Sequence, residues 1–180
     1  MEEVILVDEN DNEVGTMEKM EAHTQGLLHR AYSVFIFNSN GELLLQQRAF
    51  HKYHSAGLWA NTCCSHPRPG ENVVDSAQRR LMEEMGMKCE LIPAFSFIYK
   101  IELANNITEH ELDHVLIGFS DKKPVINAEE VSGWKYMKPD SITTELKQHP
   151  ATYAYWFSVC FENVMQYLNR QINHSADQTE

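Results

Sequence analysis

The sequence contains no apolar run near the roughly 18 residues that a membrane-spanning helix requires, and basic residues are in the minority. The chain has 15 Lys and Arg against 26 Asp and Glu, which gives a formal net charge of −11 at pH 7. Such an acidic protein lacks the general basic surface that binds a nucleic-acid backbone. These absences predict a protein without membrane or nucleic-acid partners, in which any anionic ligand is held by a local site.

Cysteine is also scarce, with four residues in 180 and no Cys-x-x-Cys pair. This number and spacing exclude a disulfide framework and predict reduced thiols. The N-terminal residues Met1–Leu6 lack the basic region of an export signal, so we expect a cytoplasmic location. Hydrophobic residues make up 43% of the chain, which is enough apolar material for one globular core.

The sequence does contain a succession of short apolar runs separated by turn residues. Tyr32–Phe37 and Glu42–Gln47 flank Asn38–Gly41 and predict a β-hairpin, in which Asn-Gly supplies the positive-φ turn positions. Both runs are apolar nearly throughout, which predicts a sheet that is covered on both faces. Further strands are predicted over Glu3–Asp8, Cys89–Phe97, Leu112–Phe119 and Ser132–Met137.

Helices are predicted around this sheet. Asn72 is a favourable cap for a helix that runs to about Met85, and Gly86 is a favourable terminator. Asp140–Lys147 is typical of a short capped helix, and apolar residues at helical spacing over Tyr153–Leu168 predict a long final helix. Because no repeat or linker interrupts the chain, the pattern predicts a single compact α/β (α+β) domain.

The helix that follows Asn72 also carries a charged pattern. Taken alone, adjacent acidic and basic residues on a helix are more typical of a solvated, salt-bridged surface. However, Glu71, Arg79, Glu83 and Glu84, followed by Met85-Gly86-Met87, resemble the Glu…Arg-Glu-U-x-Glu-Glu-x-Gly-U signature of the Nudix superfamily, where U is apolar. In that superfamily the glutamates ligate a divalent metal bound to a diphosphate, an arrangement that suits Mg²⁺.

The match departs from this signature at two positions. Ser65 stands where the pattern opens with Gly, and Arg80 replaces the Glu that follows the Arg. Nudix hydrolases use the glutamate cluster to hold metals around an attacking water, so Arg80 depletes that cluster and disfavours hydrolysis. A Nudix hydrolase of a nucleoside diphosphate derivative and a non-catalytic metal or ligand sensor remain the alternative hypotheses.

Two further segments favour a particular family. Trp59-Ala-Asn-Thr-Cys-Cys-Ser-His-Pro67 and Glu109-His-Glu-Leu-Asp113 resemble the type I isopentenyl-diphosphate delta-isomerases, members of the Nudix superfamily. The similarity extends from about residue 4 to Arg170 and includes Lys19–Thr24. It implies a Nudix-type fold with a mixed central sheet between helices. It also implies a small C5 diphosphate substrate, with isopentenyl and dimethylallyl diphosphate interconverted by an allylic proton shift.

The resemblance also implies the catalytic residues. Cys64 and Glu111 would transfer protons on opposite faces of the substrate, and Tyr99 would support the glutamate. Trp156 matches a tryptophan whose indole face would stabilise a carbocation-like centre. From the residues alone, Cys64 is more typical of a small buried hydrophobic residue, as most free cysteines are, and Trp156 could equally be a core aromatic.

Two divalent-metal sites are implied in the same way. One would take Mn²⁺, or Zn²⁺ or Mg²⁺, because imidazoles and carboxylates form a mixed donor set. Its ligands would be His23, His29, His66, Glu109 and Glu111. The other would hold Mg²⁺ with the substrate diphosphate through Glu84 and the backbone carbonyl of Cys64. Basic residues at matching positions would bind the diphosphate: Lys19, Arg48, Lys52 and Arg80.

The predicted organisation along the chain has three parts. Residues 1–26 form an N-terminal strand and a lid-like extension, which we expect to be ordered when His23 captures a metal. Residues 27–172 form the Nudix-like catalytic domain, and residues 173–180 form a frayed polar tail. The expected assembly is a monomer or a weak homodimer.

Overall fold

The computed structural model describes residues 2–52 and 54–177, which fold into a mixed β-sheet flanked by helices. The strands are β1 (Glu3–Val7), β2 (Glu13–Glu18), β3 (His29–Phe37), β4 (Leu43–Arg48), β5 (Trp59–Ala60), β6 (Cys63–Ser65), β7 (Leu91–Glu102), β8 (Thr108–Phe119) and β9 (Val131–Met137). The α-helices are α1 (Lys19–Gln25), α2 (Val73–Met85), α3 (Pro139–Gln148) and α4 (Tyr155–Asp177). Of the helices within the described residues, none is both long and apolar enough to cross a bilayer.

Strand β3 is the strand around which the site is organised. It pairs in parallel with β8, with His29 opposite Glu111, and antiparallel with β6, with Ser33 opposite Cys64. Because side chains alternate along a strand, His29 and Ser33 project from the same face of β3. The register therefore places Cys64 and Glu111 on that face, one on each side of β3.

The side chains of β3 alternate between two hydrophobic cores. Phe35 packs on one face against Phe157 of α4, and their ring centroids are 6.2 Å apart. Ile36 packs on the other face in a cluster with Leu81 of α2. Both faces of β3 are thus covered, as the nearly continuous apolar run predicts, and the mixed α+β fold is confirmed.

The predicted hairpin forms at its turn but not along its strands. The amide of Asn38 donates to the carbonyl of Glu42 over 3.0 Å, and Gly41 has φ +71°. Among the described residues, Gly41 but not Asn40 has positive φ in this turn, so the expectation for Asn40 was wrong. The pairing of β3 with β4 is confined to Phe37 and Leu43, and farther along β3 the residues Tyr32–Val34 pair with β6 instead.

The ends of α2 are those predicted. The side chain of Asn72 accepts a hydrogen bond of 2.9 Å from the amide of Asp75, and Gly86 adopts the left-handed conformation that ends the helix. Other elements extend beyond the predicted ones. Strands β7 and β8 continue through polar residues as a long antiparallel pair, and β2 and α1 form from polar segments without predicted structure.

The N-terminal extension and the C-terminal tail both contain regular secondary structure. The described part of the N-terminal extension comprises β1, β2 and α1, and β1 joins the main sheet where Leu6 pairs with His29. Helix α4 continues to Asp177, so residues 173–177 of the predicted tail are helical. Residues 178–180 of that tail lie outside the described residues.

Gly86→Ala is expected to lower the free energy of unfolding by more than about 2 kcal/mol. A non-glycine residue in the left-handed region costs roughly 1–2 kcal/mol, and here the added Cβ would lie 2.5 Å from the carbonyl oxygen of Val125. Gly41→Ala is the matched control, since Gly41 also has positive φ but its Cβ would meet nothing within 4 Å. Urea denaturation measures both losses, and equal losses would contradict a role for the contact with Val125.

Candidate active site

The predicted catalytic residues lie together in one cleft beside β3. Cys64 comes from β6, Tyr99 from β7, Glu111 from β8 and Trp156 from α4. The basic residues predicted to bind a diphosphate line the same cleft: Lys19, Arg48, Lys52 and Arg80. The fold therefore brings together groups that are up to about 140 residues apart in the chain, as the pairing of β3 with β6 and β8 requires.

A tyrosine and two glutamates form the floor of the cleft. Tyr99 lies opposite Glu111 in the β7–β8 pair, and its hydroxyl donates to Glu111 Oε2 over 2.6 Å. Glu109 Oε2 lies 3.3 Å from the same hydroxyl, because side chains at i and i+2 of β8 share a face. All three side chains are buried, so two carboxyl groups share an environment that disfavours two negative charges.

The two glutamates respond differently to this environment. Burial, and then the charge of Glu111, raises the pKa of Glu109 to about 8. Burial acts on Glu111 in the same direction, but the imidazoles of His29 and His66, 3.7 and 3.0 Å from its Oε1, hold its pKa well below the usual range. The negative charge of the pair is therefore on Glu111.

Four buried side chains form a group that could hold a metal. Donor atoms of His23, His29, His66 and Glu111 all lie within 4.8 Å of one another. These four residues were predicted as ligands from sequence positions far apart in the chain. Three imidazoles and a carboxylate suit a divalent ion of the Mn²⁺ or Zn²⁺ type.

The hydrogen bonds of the histidines fit a metal at this group. His23 Nδ1 donates to the carbonyl of Lys19 over 2.7 Å, and His29 Nδ1 donates to the carbonyl of Leu27 over 2.8 Å. A histidine that donates from Nδ1 keeps Nε2 as its ligand atom. Within the described residues, the buried His29 Nε2 makes no hydrogen bond, which is unfavourable unless a cation or water meets it. Burial also lowers the pKa of His66 to about 4, so its ring is neutral, as metal binding requires.

Glu109 lies beside this four-donor group rather than within it. Its Oε1 is 3.2 Å from Nδ1 of His54, while its Oε2 faces Tyr99. Ligation of a metal by Glu109 thus stays a prediction. His54 lines the cleft and was missed in the sequence, where no motif marks it.

The two adjacent cysteines point to opposite faces of β6. Cys63 is completely buried in the core cluster on the α2 side, whereas Cys64 lines the cleft. Burial raises the pKa of the Cys64 thiol to about 12, although the nearby Arg48 acts in the opposite direction. The thiol therefore keeps its proton at neutral pH.

The indole of Trp156 is held in a fixed orientation at the cleft. Its Nε1 donates to Asn61 Oδ1 over 3.1 Å, and Nδ2 of Asn61 donates to the carbonyl oxygens of Val34 and Cys63. The guanidinium carbon of Arg48 lies 5.2 Å from the centre of the indole ring. The ring therefore already presents a face to a cation, an arrangement that its quadrupole favours.

Several cations of the cleft are paired with carboxylates. Lys52 forms an ion pair with Glu130, which sequence reasoning missed. Nη2 of Arg80 lies 2.6 Å from Glu84 Oε1 and 3.3 Å from Glu130 Oε1. Lys19 pairs with Glu2 over 3.2 Å. These pairs neutralise the basic residues within a partly buried site, and the phosphate oxygens of a ligand would compete with the same carboxylates.

The chain resembles known proteins over most of its length. Residues 27–158 match the NUDIX domain family. The chain is 53% identical over 165 residues to the isopentenyl-diphosphate Delta-isomerase of Pectobacterium atrosepticum, covering 92% of each chain. It is 51% identical over 164 residues to isopentenyl-diphosphate Delta-isomerase 2 of Aromatoleum aromaticum, covering 91% of this chain and 87% of that protein. The chain belongs to the isopentenyl-diphosphate Delta-isomerase family.

Solved structures agree with the fold of this Nudix isomerase family. A protein from Deinococcus radiodurans aligns with a TM-score of 0.70 at 21% identity, covering 82% of this chain and 90% of that one. The MutT protein of Methanosarcina mazei aligns with a TM-score of 0.62 at 19% identity, covering 80% of this chain and 95% of that one. At such low identity these structures show the fold alone, and they confirm the Nudix-type architecture.

The signature helix of this chain differs from the Nudix pattern at Arg80. Arg80 stands in place of a signature glutamate and directs its guanidinium to Glu83 and Glu84. Glu84 lines the cleft, whereas Glu71 and Glu83 lie outside it and pair with Arg79. Hydrogen bonding from Arg79 lowers the pKa of Glu71 to about 2. The helix thus presents one carboxylate and one cation to the cleft, which suits binding of a single Mg²⁺ with a diphosphate.

Proposed function

We propose that this protein interconverts isopentenyl diphosphate and dimethylallyl diphosphate by an allylic proton shift. The observation that carries the proposal is the placement of Cys64 and Glu111 along one buried cleft, on either side of β3. A carbon–carbon double bond without activating groups moves only if one carbon gains a proton and another loses one. Two proton-transfer groups that approach the same slot from different strands meet this requirement.

Each proton transfer has a defined effect on the substrate. A proton added to the terminal carbon of isopentenyl diphosphate leaves a tertiary carbocation at the branched carbon. Loss of a proton from the neighbouring methylene then forms the double bond of dimethylallyl diphosphate. Cys64 and Glu111 are the donor and acceptor pair, and they exchange roles in the reverse direction. Tyr99 holds Glu111 through the 2.6 Å hydrogen bond of its hydroxyl.

Trp156 stabilises the cation that forms between the two transfers. Its ring is held by Asn61 and is 4% exposed, so it offers a π face in a site largely shielded from water. A cation over such a face gains on the order of 2 kcal/mol when it is desolvated. Shielding also protects the carbocation from attack by water.

Two metal ions complete the proposed site. His23, His29, His66 and Glu111, joined by Glu109, would hold Mn²⁺, or Zn²⁺ or Mg²⁺. Such an ion supplies positive charge that alters the proton affinity of an attached carboxylate. Glu84 and the carbonyl of Cys64 would hold Mg²⁺, which neutralises phosphate charge.

Protein cations and the N-terminal extension would position the substrate. Lys19, Arg48, Lys52 and Arg80 would bind the phosphate oxygens and so orient the carbon chain between Cys64 and Glu111. Lys19 and His23 both lie on α1 of the extension, so metal capture by His23 would also place Lys19 at the diphosphate. The cytoplasmic location and the monomeric or weakly dimeric state stay predictions.

Incubation with isopentenyl diphosphate in D₂O, followed by NMR, tests this function and its metal requirement together. We expect dimethylallyl diphosphate to appear with deuterium on carbon. We expect a chelator to abolish the reaction, and Mg²⁺ with Mn²⁺ to restore it. Release of phosphate or of a nucleoside monophosphate from nucleoside diphosphate derivatives would instead favour the hydrolase. Absence of deuterium incorporation by the metal-loaded protein would favour the non-catalytic sensor.

A further inference from the structure

His54 lies in the segment between β4 and β5 and turns its side chain into the cleft. The side chain is 10% exposed. Its Nδ1 is 3.2 Å from Glu109 Oε1, and its ring meets the indole of Trp156 edge-on with centroids 6.0 Å apart. Its backbone carbonyl accepts a hydrogen bond of 3.3 Å from Nη2 of Arg48. One residue thus contacts three side chains to which the site assigns different roles.

These contacts place His54 at the end of a continuous chain of polar groups. From His54 the chain passes to Glu109, then to the hydroxyl of Tyr99 3.3 Å from Glu109 Oε2, and on to Glu111 over 2.6 Å. It ends where Glu111 Oε1 meets His66 Nε2 at 3.0 Å. His54 lies against Oε1 of Glu109, and the other oxygen of that carboxyl group faces the Tyr99 hydroxyl.

We infer that His54 is a positioning residue that orients Glu109 toward the four-donor group and toward Tyr99. The inference rests on the proposed function for its effect on turnover, but its effect on metal binding is independent of that function. When a residue that orients a metal ligand is replaced, the affinity of the site for the metal ion typically falls by about 10- to 100-fold. The contact of Nδ1 with Glu109 is therefore the feature to test.

Asparagine and glutamine distinguish this contact from simple packing. The amide nitrogen of asparagine is two bonds from Cβ, as Nδ1 of histidine is, whereas that of glutamine is one bond farther. His54→Asn therefore keeps a donor close to the place of Nδ1, and His54→Gln does not. His51→Gln is the matched control, since His51 lies in the same segment with its side chain 61% exposed.

The experiment measures Mn²⁺ binding to metal-free protein by calorimetry, together with kcat and KM for isopentenyl diphosphate. For His54→Gln we expect Mn²⁺ affinity to fall about 10-fold and kcat to fall at least about 10-fold, with KM within about two-fold. For His54→Asn we expect both Mn²⁺ affinity and kcat within about three-fold of the parent protein, because the donor is kept. The His51→Gln variant should match the parent protein.

Several results would overturn the inference. Equal Mn²⁺ affinities for His54→Gln and the parent protein would show that the contact with Glu109 does not orient a ligand. Equal losses in the Asn and Gln variants, accompanied by a lower free energy of unfolding in urea, would show that His54 only packs. If the parent protein itself forms no dimethylallyl diphosphate, the proposed function fails, and the Mn²⁺ affinities still decide the role of His54.

Discussion

Replacement of Cys64 by alanine is expected to lower turnover of isopentenyl diphosphate by roughly 10²- to 10⁴-fold, the usual contribution of one acid–base group. The Cys64 thiol lies on the cleft and keeps its proton at neutral pH, so it can deliver that proton to the double bond. The substitution removes one sulfur atom at the edge of a cleft, so the fold should persist. Deuterium incorporation in D₂O measures turnover, and circular dichroism measures the fold.

Cys63→Ala is the matched control because it makes the same chemical change one residue earlier. Cys63 is completely buried in the core on the α2 side of the sheet. Its truncation should lower the free energy of unfolding by about 1 kcal/mol through the cavity it leaves, with little effect on kcat. Near-normal turnover in Cys64→Ala, or an equal loss of kcat in Cys63→Ala, would contradict the proposed role of the Cys64 thiol in proton transfer.

Glu111→Gln is expected to lower turnover by a similar factor, roughly 10²- to 10⁴-fold, and also to weaken Mn²⁺ binding. Glutamine keeps the size of the side chain but removes the charge that His29 and His66 surround. It therefore removes a proposed proton-transfer group and one donor of the four-donor group in a single step. Turnover in D₂O and Mn²⁺ calorimetry on the metal-free protein measure the two effects.

Glu109→Gln is the matched control, since it makes the same change two residues away on the same strand face. Glu109 lies beside the four-donor group, and its raised pKa indicates that it carries the proton of the pair. We therefore expect smaller losses of turnover and Mn²⁺ affinity than for Glu111→Gln. A larger loss of turnover in Glu109→Gln would transfer the proton-transfer role to Glu109.

Local sequence signals predicted much of the fold. The cap at Asn72 and the terminator at Gly86 define α2 because both act on backbone groups within one turn of the residue. The apolar run of β3 predicted burial on both faces, because successive side chains of a strand point to opposite faces of the sheet. The hairpin was predicted only in part. Along most of its length β3 pairs with β6 and β8, and the turn at Gly41 does not determine those pairings.

The candidate site, like the fold, was predicted only in part. The motifs around Cys64 and Glu109–Asp113 identify the family, and the structure places their side chains along one cleft. His54 and Glu130 were missed because each lies in an irregular segment, where periodicity carries no information. Both lie beside partners distant in the chain: Glu130 forms an ion pair with Arg80, and His54 Nδ1 lies 3.2 Å from Glu109 Oε1.

Residue order alone was sufficient for the family, the helix boundaries of α2 and the residue types of the chemistry, because these depend on short-range spacing. Folding in three dimensions set which groups meet. In the folded protein Cys64 faces the cleft and Cys63 faces the core. Glu111 contacts His66, whereas Glu109 contacts His54. Strand register and burial govern those contacts, and both are long-range properties that no local pattern encodes.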